Sequence, residues 1–263
     1  MLRYDAASYM LAKKRVLITL SIFGTDQTEC ASEIQIARCR YMSANLTEQE
    51  VHSIVLLGDF NPSIFHPTWF SQNDLLPAEE TEAVGELLIT REVATYDVSD
   101  INVQVESHRF GLTTKDSAKA PVIRDLVMGA FGLLEHTPLQ AVGLNLDVEV
   151  AVTGIEQWHK IGHRLAPKAT WETILENPGM RGIHIEGKRP DCSADVLNIR
   201  VQPSNPSKGI YGVIIRVNQH YNIDPKDEMS VRARNDAVMR ILQDDWKSFR
   251  PFALRAAEQI ISG

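Results

Sequence analysis

Residues 141–153, with the sequence AVGLNLDVEVAVT, decide the fold class. Every second position is aliphatic, and the positions between include Asn145, Asp147 and Glu149. The aliphatic set is Val142, Leu144, Leu146, Val148, Val150 and Val152. A β-strand is the only regular structure in which a period of two places all six on one face. Because the other face is polar, the pattern is typical of a mixed or antiparallel sheet that is covered on one side.

The segments before this strand predict an alternation of strands and helices. The strands are residues 53–58, 87–98, 101–112 and 141–153. Asn61 and Pro62, after the first strand, are a typical helix start. Ser99 and Asp100, between the second and third strands, are typical of a tight hairpin. The order strand, helix, strand, strand, helix, strand predicts a ferredoxin-like βαββαβ lobe over residues 46–153, with its helices packed on one face of the sheet.

The second helix of this lobe is predicted by a stripe of apolar residues at helical spacing. The stripe is Val122, Ile123, Leu126, Val127, Ala130, Phe131 and Leu134. Gly129 and Gly132 lie within it, where each lowers helix stability by about 1 kcal/mol relative to alanine. We expect these glycines to mark a close approach to a neighbouring element.

Residues 154–263 predict a second α+β lobe packed on the first. Its predicted elements are a helix at 155–165, a short helix at 171–176, strands at 182–186, 194–202 and 211–220, and a helix at 230–261. Pro251 is expected to kink or divide the last helix near Phe249. The residues leave open whether the two halves share one continuous sheet or form two packed lobes.

Residues 1–45 lack the regular periodicity of the remainder. We expect a poorly packed N-terminal extension. The alternative is that translation begins at Met42, which precedes a polar stretch typical of the approach to a first strand.

Composition limits the classes of function. The formal net charge is −7, which argues against general nucleic-acid binding because the phosphate backbone requires clustered Lys and Arg. No apolar run approaches the ~18 residues of a transmembrane helix, so no membrane association is predicted. The three cysteines, Cys30, Cys39 and Cys192, are odd in number and widely spaced, which predicts a cytoplasmic protein with free thiols.

One pair of histidines suggests a metal site. His159 and His163 are four residues apart on a predicted helix, which suits two imidazoles on one zinc ion. Lys160 occupies the position of the general base in the familiar zinc-protease pattern. A third ligand would come from a distant segment, with His184, Asp191 and His220 as candidates. The predicted set is His159, His163 and His220; alternatively, one helix histidine caps a carbonyl and the other is solvated.

Other catalytic signatures are missing from the sequence. It contains neither a Gly-x-Ser-x-Gly elbow nor a glycine-rich phosphate loop. No cofactor is predicted apart from a divalent metal ion at the histidine set. Cys192 follows Asp191, whose charge disfavours a thiolate, so we expect a free surface thiol. His220 and Tyr221 could supply a general acid or base, but an ordinary polar strand end is the simpler interpretation.

The sequence therefore favours a non-enzymatic interaction or assembly protein. It would bind a protein partner, or a second copy of itself, through a sheet face or a free edge strand. The alternatives are a metal-dependent hydrolase centred on His159 and His163, and a small-ligand sensor with a pocket between the lobes. Four tryptophans, Trp69, Trp158, Trp171 and Trp246, are expected to be core or inter-lobe anchors. An exposed tryptophan would indicate a partner surface.

Overall fold

A nine-stranded antiparallel sheet is the framework of the computed structural model, which describes residues 47–205, 211–224, 226 and 228–263. The strands are β1 (Thr47–Gly58), β2 (Leu87–Ile89), β3 (Val93–Val98), β4 (Ile101–Glu106), β5 (Arg109–Thr114), β6 (Leu139–Val152), β7 (Ile183–Gly187), β8 (Val196–Ser204) and β9 (Tyr211–Asn222). Their order across the sheet is β2-β3-β4-β5-β1-β6-β9-β8-β7. The predicted α+β class with an antiparallel sheet is confirmed.

Six α-helices accompany the sheet within the described ranges. They are α1 (Pro67–Gln72), α2 (Ala78–Glu82), α3 (Ala120–Leu133), α4 (Ile155–Leu165), α5 (Val231–Asp244) and α6 (Trp246–Ser262), with single 3₁₀ turns at Pro62–Ile64 and Lys168–Thr170. Side-chain caps begin several of these elements. As predicted, Asn61 accepts a hydrogen bond from the Ser63 amide, and Ser230 caps α5 in the same way. None of the helices described is both long and apolar enough to cross a bilayer.

The alternation in β6 separates a buried face from an open one, as predicted. All six aliphatic side chains between Val142 and Val152 are buried, and they join one apolar cluster with residues of α3, α5 and α6. The other face carries Asn145, Asp147 and Glu149, which are half-buried. Asp147 accepts a hydrogen bond from Arg216 of β9 at 2.9 Å. Burial nevertheless outweighs this pairing and raises the pKa of Asp147.

The sheet is continuous across the predicted boundary between residues 153 and 154. Strand β6 pairs with β9 along its length, from Ala141 opposite Asn222 to Val152 opposite Tyr211. Leu46–Gly263 form one compact unit. The expectations for residues 1–45, including those for Met42, Cys30 and Cys39, lie outside the described residues.

The predicted strands at 87–98 and 101–112 are each two strands in the structure, which corrects the sequence interpretation. The Thr90 hydroxyl accepts hydrogen bonds from the amides of Glu92 and Val93 and so turns the chain between β2 and β3. A second two-residue turn separates β4 from β5. Six strands therefore lie between residues 47 and 152 instead of four, and the ferredoxin-like arrangement is not confirmed.

The predicted hairpin at Ser99 and Asp100 is confirmed. Both residues have positive φ, 48° and 63°. A two-residue turn with two left-handed residues matches the right-handed twist of the strands that it joins. The turn sets Val98 opposite Ile101, so the buried residues of β3 and β4 share one face.

The C-terminal helix divides at Asp245, so a division at Pro251 is wrong, while a kink there stays a prediction. Pro251 lies within α6, while Asp245 separates α5 from α6. Hydrogen bonds from Tyr221 and Ser193 to the Asp245 carboxylate hold the junction against the sheet. The break therefore follows a tertiary contact and not the proline.

The predicted helix at 171–176 is also wrong. The chain there forms the 3₁₀ turn Lys168–Thr170 followed by irregular turns, with Asn177 at a φ of 50°. Pro167 restricts the start of this segment, and the left-handed Asn177 stops any helix after it.

Two glycine substitutions in α3 test whether the two glycines have different roles. A Cβ atom at Gly129 would lie 2.5 Å from Cδ2 of Leu75, whereas one at Gly132 would meet nothing within 4 Å. We expect Gly132→Ala to raise the free energy of unfolding by about 0.5–1 kcal/mol through helix propensity. Gly129→Ala should gain less because Leu75 must move. Urea denaturation of both variants measures the difference, and equal gains would contradict the close packing of Gly129.

Candidate functional site

The free edge of the sheet at β7 is the most exposed regular element of the second half of the chain. In the described part of the chain, β7 pairs with β8 only, so its other side carries unpaired backbone groups. Ile185, at its centre, is 60% exposed although it points to the same face as the buried core residue Val201. A five-residue edge strand with an exposed isoleucine at its centre is a template for pairing with another strand.

Exposed apolar side chains precede this edge. Trp171, Ile174 and Leu175 are 49%, 69% and 54% exposed, and all three lie in the connection between α4 and β7. Trp171 therefore differs from the other three tryptophans, which are half-buried. Exposed apolar residues this close in sequence to an exposed edge strand make the two segments the candidate site.

A buried arginine anchors the far end of β7. Arg189 follows the strand by two residues and is only 3% exposed. Its guanidinium donates two hydrogen bonds to Asp191, at 2.6 and 2.9 Å, and one to the buried Gln219 of β9 at 3.1 Å. It also donates to Ser248 of α6 and lies 4.4 Å from the ring centre of Phe252. The guanidinium thus ties the β7–β8 loop to both the sheet and the last helix.

The same network continues to the junction of α5 and α6. Gln219 donates to the Tyr221 hydroxyl, which in turn donates to the Asp245 carboxylate at 2.7 Å. Burial and the hydrogen bond to Asp245 raise the pKa of Tyr221, so its phenol stays protonated at neutral pH. These hydrogen bonds form a continuous chain from Asp191 to Asp245. Such a connected network restricts movement of the segment that follows β7.

On the open face of the sheet, amide side chains connect β7 to the central strands. Asn145, Asn218 and Asn198 lie opposite one another on β6, β9 and β8. Asn218 donates to Asn145 at 2.7 Å, Asn198 donates to Asn218 at 3.4 Å, and His184 of β7 contacts Asn198 at 3.0 Å. These contacts hold the register of β7 on the side opposite the helices.

Neither a protein-family model nor a curated protein sequence matches this chain.

The structure brings two of the three predicted metal ligands together. The rings of His159 and His163 lie 6.0 Å apart, centre to centre, on the exposed side of α4. Trp158 of the same helix contacts Tyr211 at the start of β9, whereas His220 is nine residues further along that strand, or roughly 30 Å away at the rise of a β-strand. Among the described residues, no group of three His, Cys, Asp or Glu side chains is arranged to hold a metal ion. The metal site stays a prediction.

The other candidate residues are also dispersed. His184 contacts Asn198, while Asp191 is paired with Arg189. His220 lies on the open face, where it contacts Asn222, and Tyr221 points into the helix-covered core. Neighbouring residues of a strand point to opposite faces, so the imidazole of His220 and the phenol of Tyr221 do not share a site. Cys192 is a free, half-buried thiol.

A second ionic cluster connects β1, the first strand described, to the C-terminal helix α6. The sequence analysis did not predict it. Glu50 of β1 accepts two hydrogen bonds from Arg250 of α6, both at 2.8 Å, and lies 3.0 Å from the buried His52. Burial alone would raise the pKa of Glu50, but the hydrogen bonds from His52 and Arg250 outweigh it and lower the pKa to about 2. Because 200 residues separate Glu50 and Arg250, no local pattern could have indicated this pair.

Replacing Arg189 tests whether it anchors the edge strand. Arg189→Ala leaves the buried carbonyl oxygen of Gln219 without its donor and removes the contact with Phe252. We expect the free energy of unfolding to fall by about 2–3 kcal/mol. Lys188→Ala, at the exposed neighbouring position outside this network, is the matched control and should cost less than about 0.5 kcal/mol. Urea denaturation compares the two, and similar losses would show that Arg189 has no anchoring role.

Glu50 should make stability depend on pH. Its pKa is lowered from 4.5 to about 2 on folding. The stabilisation is therefore complete above pH 4.5 and is lost as the pH falls towards 2. Glu50→Gln should cost about 1–2 kcal/mol at pH 7, since the half-exposed Arg250 is screened by solvent, and almost nothing at pH 2.

Chemical denaturation from pH 7 to pH 2 measures this difference. Leu133→Ala, at an exposed position that carries no ionisable group, is the control whose effect should not change with pH. A constant difference between the wild type and Glu50→Gln would contradict the assigned role of Glu50.

Proposed function

We propose that the protein is a non-enzymatic assembly protein that binds a protein partner through the edge strand β7. The observation that carries this proposal is the exposure of Ile185 at the centre of an edge strand, close in sequence to the exposed Trp171, Ile174 and Leu175. In this mode of binding, a strand of the partner extends the sheet. Its backbone supplies the hydrogen bonds, and its side chains contact the apolar surface.

The support of β7 favours binding over passive exposure. Arg189 fixes the strand at one end, and the contact of His184 with Asn198 fixes it on the open face. A strand that is held in its bound conformation loses little conformational entropy when a partner pairs with it. The edge is therefore preorganised for pairing.

The open face of the sheet, which is the other predicted surface, is a less favourable binding site for a partner. Its central polar groups bond to one another, as in the Asn145–Asn218 and Asp147–Arg216 contacts. A partner placed there would have to compete with these hydrogen bonds or leave polar groups unpaired. The opposite edge, β2, has only three residues. We therefore place the binding site at β7.

Site-specific photo-crosslinking tests the proposal. A benzophenone side chain at position 174, in the full-length protein in its native cells, should give an ultraviolet-dependent adduct with a protein. The same group at position 133 of α3 should give none, although Leu133 is similarly exposed, at 53%. Adding Ile185→Lys to the 174 probe should remove the adduct, because a lysine on an edge strand opposes strand addition. Leu133→Lys in its place should leave the adduct intact.

The proposal fails if position 174 yields no adduct. It also fails if positions 174 and 133 yield adducts equally, or if Ile185→Lys and Leu133→Lys have the same effect. Far-ultraviolet circular dichroism of both lysine variants verifies that the fold is retained, as expected for substitutions at exposed positions.

A further inference from the structure

We infer that the strand that pairs with β7 is β7 of a second copy of the same chain. This inference rests on the proposed function and names the partner of the same site. The two strands would run antiparallel about a twofold axis at Ile185 and would join two nine-stranded sheets into one. Twofold pairing of identical surfaces is the commonest form of association of protein chains.

The sequence of β7 complements itself in this register. With Ile185 opposite Ile185 of the partner subunit, His184 lies opposite Glu186 of the partner subunit, and the twofold axis repeats the contact. Directly opposed residues of an antiparallel pair have Cβ atoms about 4.5–5.5 Å apart, within reach of a hydrogen bond between imidazole and carboxylate. His184 and Glu186 are both exposed and both lie on the open face of the sheet. Glu186 is therefore accessible to a partner, and His184, whose Nε2 atom contacts Asn198, can offer its Nδ1 atom to the partner's carboxylate.

The apolar side of β7 fits the same register. Ile185 points to the helix-covered face, and the axis would place the two isoleucines against each other. Each is 60% exposed in the single chain, so pairing would remove apolar surface from water. In this register odd-numbered residues lie opposite odd-numbered residues, and opposed side chains point to the same face of the sheet. The helix layers of both copies therefore lie on the same side of the joined sheet.

Two other registers also keep both helix layers on one side of the joined sheet, and both are less favourable. An axis at Glu186 places two carboxylates opposite each other, and an axis at His184 places two imidazoles opposite each other. Like groups in directly opposed positions repel or leave their hydrogen-bonding groups unpaired. The pattern Ile-His-Ile-Glu-Gly of residues 183–187 thus selects the axis at Ile185.

The strand pair alone is a small interface. Stable complexes bury about 1,200–2,000 Å² in total, more than two five-residue strands supply. The exposed Trp171, Ile174 and Leu175, which precede β7, are available to add apolar surface. The dimer is therefore expected to use both parts of the site.

A charge exchange tests the register directly. His184→Glu places Glu opposite Glu186 of the partner subunit, and Glu186→Lys places Lys opposite the partner's His184. Each single variant should weaken self-association about tenfold or more, because every change acts twice across the axis. The double variant carrying both substitutions restores opposite charges and should recover the dissociation constant of the wild type to within a few-fold. Sedimentation equilibrium over a range of concentrations measures all four proteins.

The inference is overturned if the wild type sediments as a monomer at every concentration, or if the double variant associates no better than the single variants. The crosslinking experiment distinguishes this failure from failure of the proposed function. An adduct at position 174 with a different protein overturns self-association and still supports binding at the edge. Unchanged circular dichroism and thermal melting of the variants exclude misfolding as the cause of any loss.

Discussion

Burial of one face of three long strands is the constraint on which the rest of the structure depends. Strands β1, β6 and β9 present aliphatic side chains to the helices at alternate positions, and the residues between them face outward. A slip of one residue in register would exchange the two faces, so the packing of the core also determines where every polar side chain of the sheet lies. The positions of His184 and Asn198 on the open face follow from the positions of Leu146 and Val217 in the core.

Local patterns predict most of the elements, although the division of two predicted strands was missed. The alternation of β6, the Asn61 cap and the Ser99–Asp100 turn were all readable because their signals lie within a few residues. The split between β4 and β5 was also encoded. The buried side chains are at odd positions in β4, up to Val105, and at even positions in β5, from Phe110, and this change marks the turn at residues 107 and 108. A single strand buries every second residue, so a segment in which burial switches from odd to even positions must contain a break.

Contacts between distant segments are the part that sequence reasoning could not reach. The break of the C-terminal helix depends on Tyr221 and Ser193, and the ion pair of Glu50 depends on a residue at the other end of the chain. Pro251 was the strongest local breaker, but the structure keeps it within a helix. Likewise, two histidines one helical turn apart were recognisable from spacing alone, whereas the separation of His220 from them follows only from the path of β9. The exposed β7 edge was expected in general terms, since a free edge strand was predicted, but its identity required the strand order.

The two edge strands of the sheet differ in length, and in the proposed dimer this difference opposes head-to-tail stacking of further copies. Strand β2 is three residues long, whereas β7 has five and a firm anchor. Head-to-tail stacking of β2 on β7 would repeat without limit and generate a fibril, because a heterologous contact need not close. The short β2 offers too few backbone groups to sustain such growth. In the proposed dimer, pairing of β7 with β7 is closed by the twofold axis, and the three-residue β2 adds little edge on which further copies could stack.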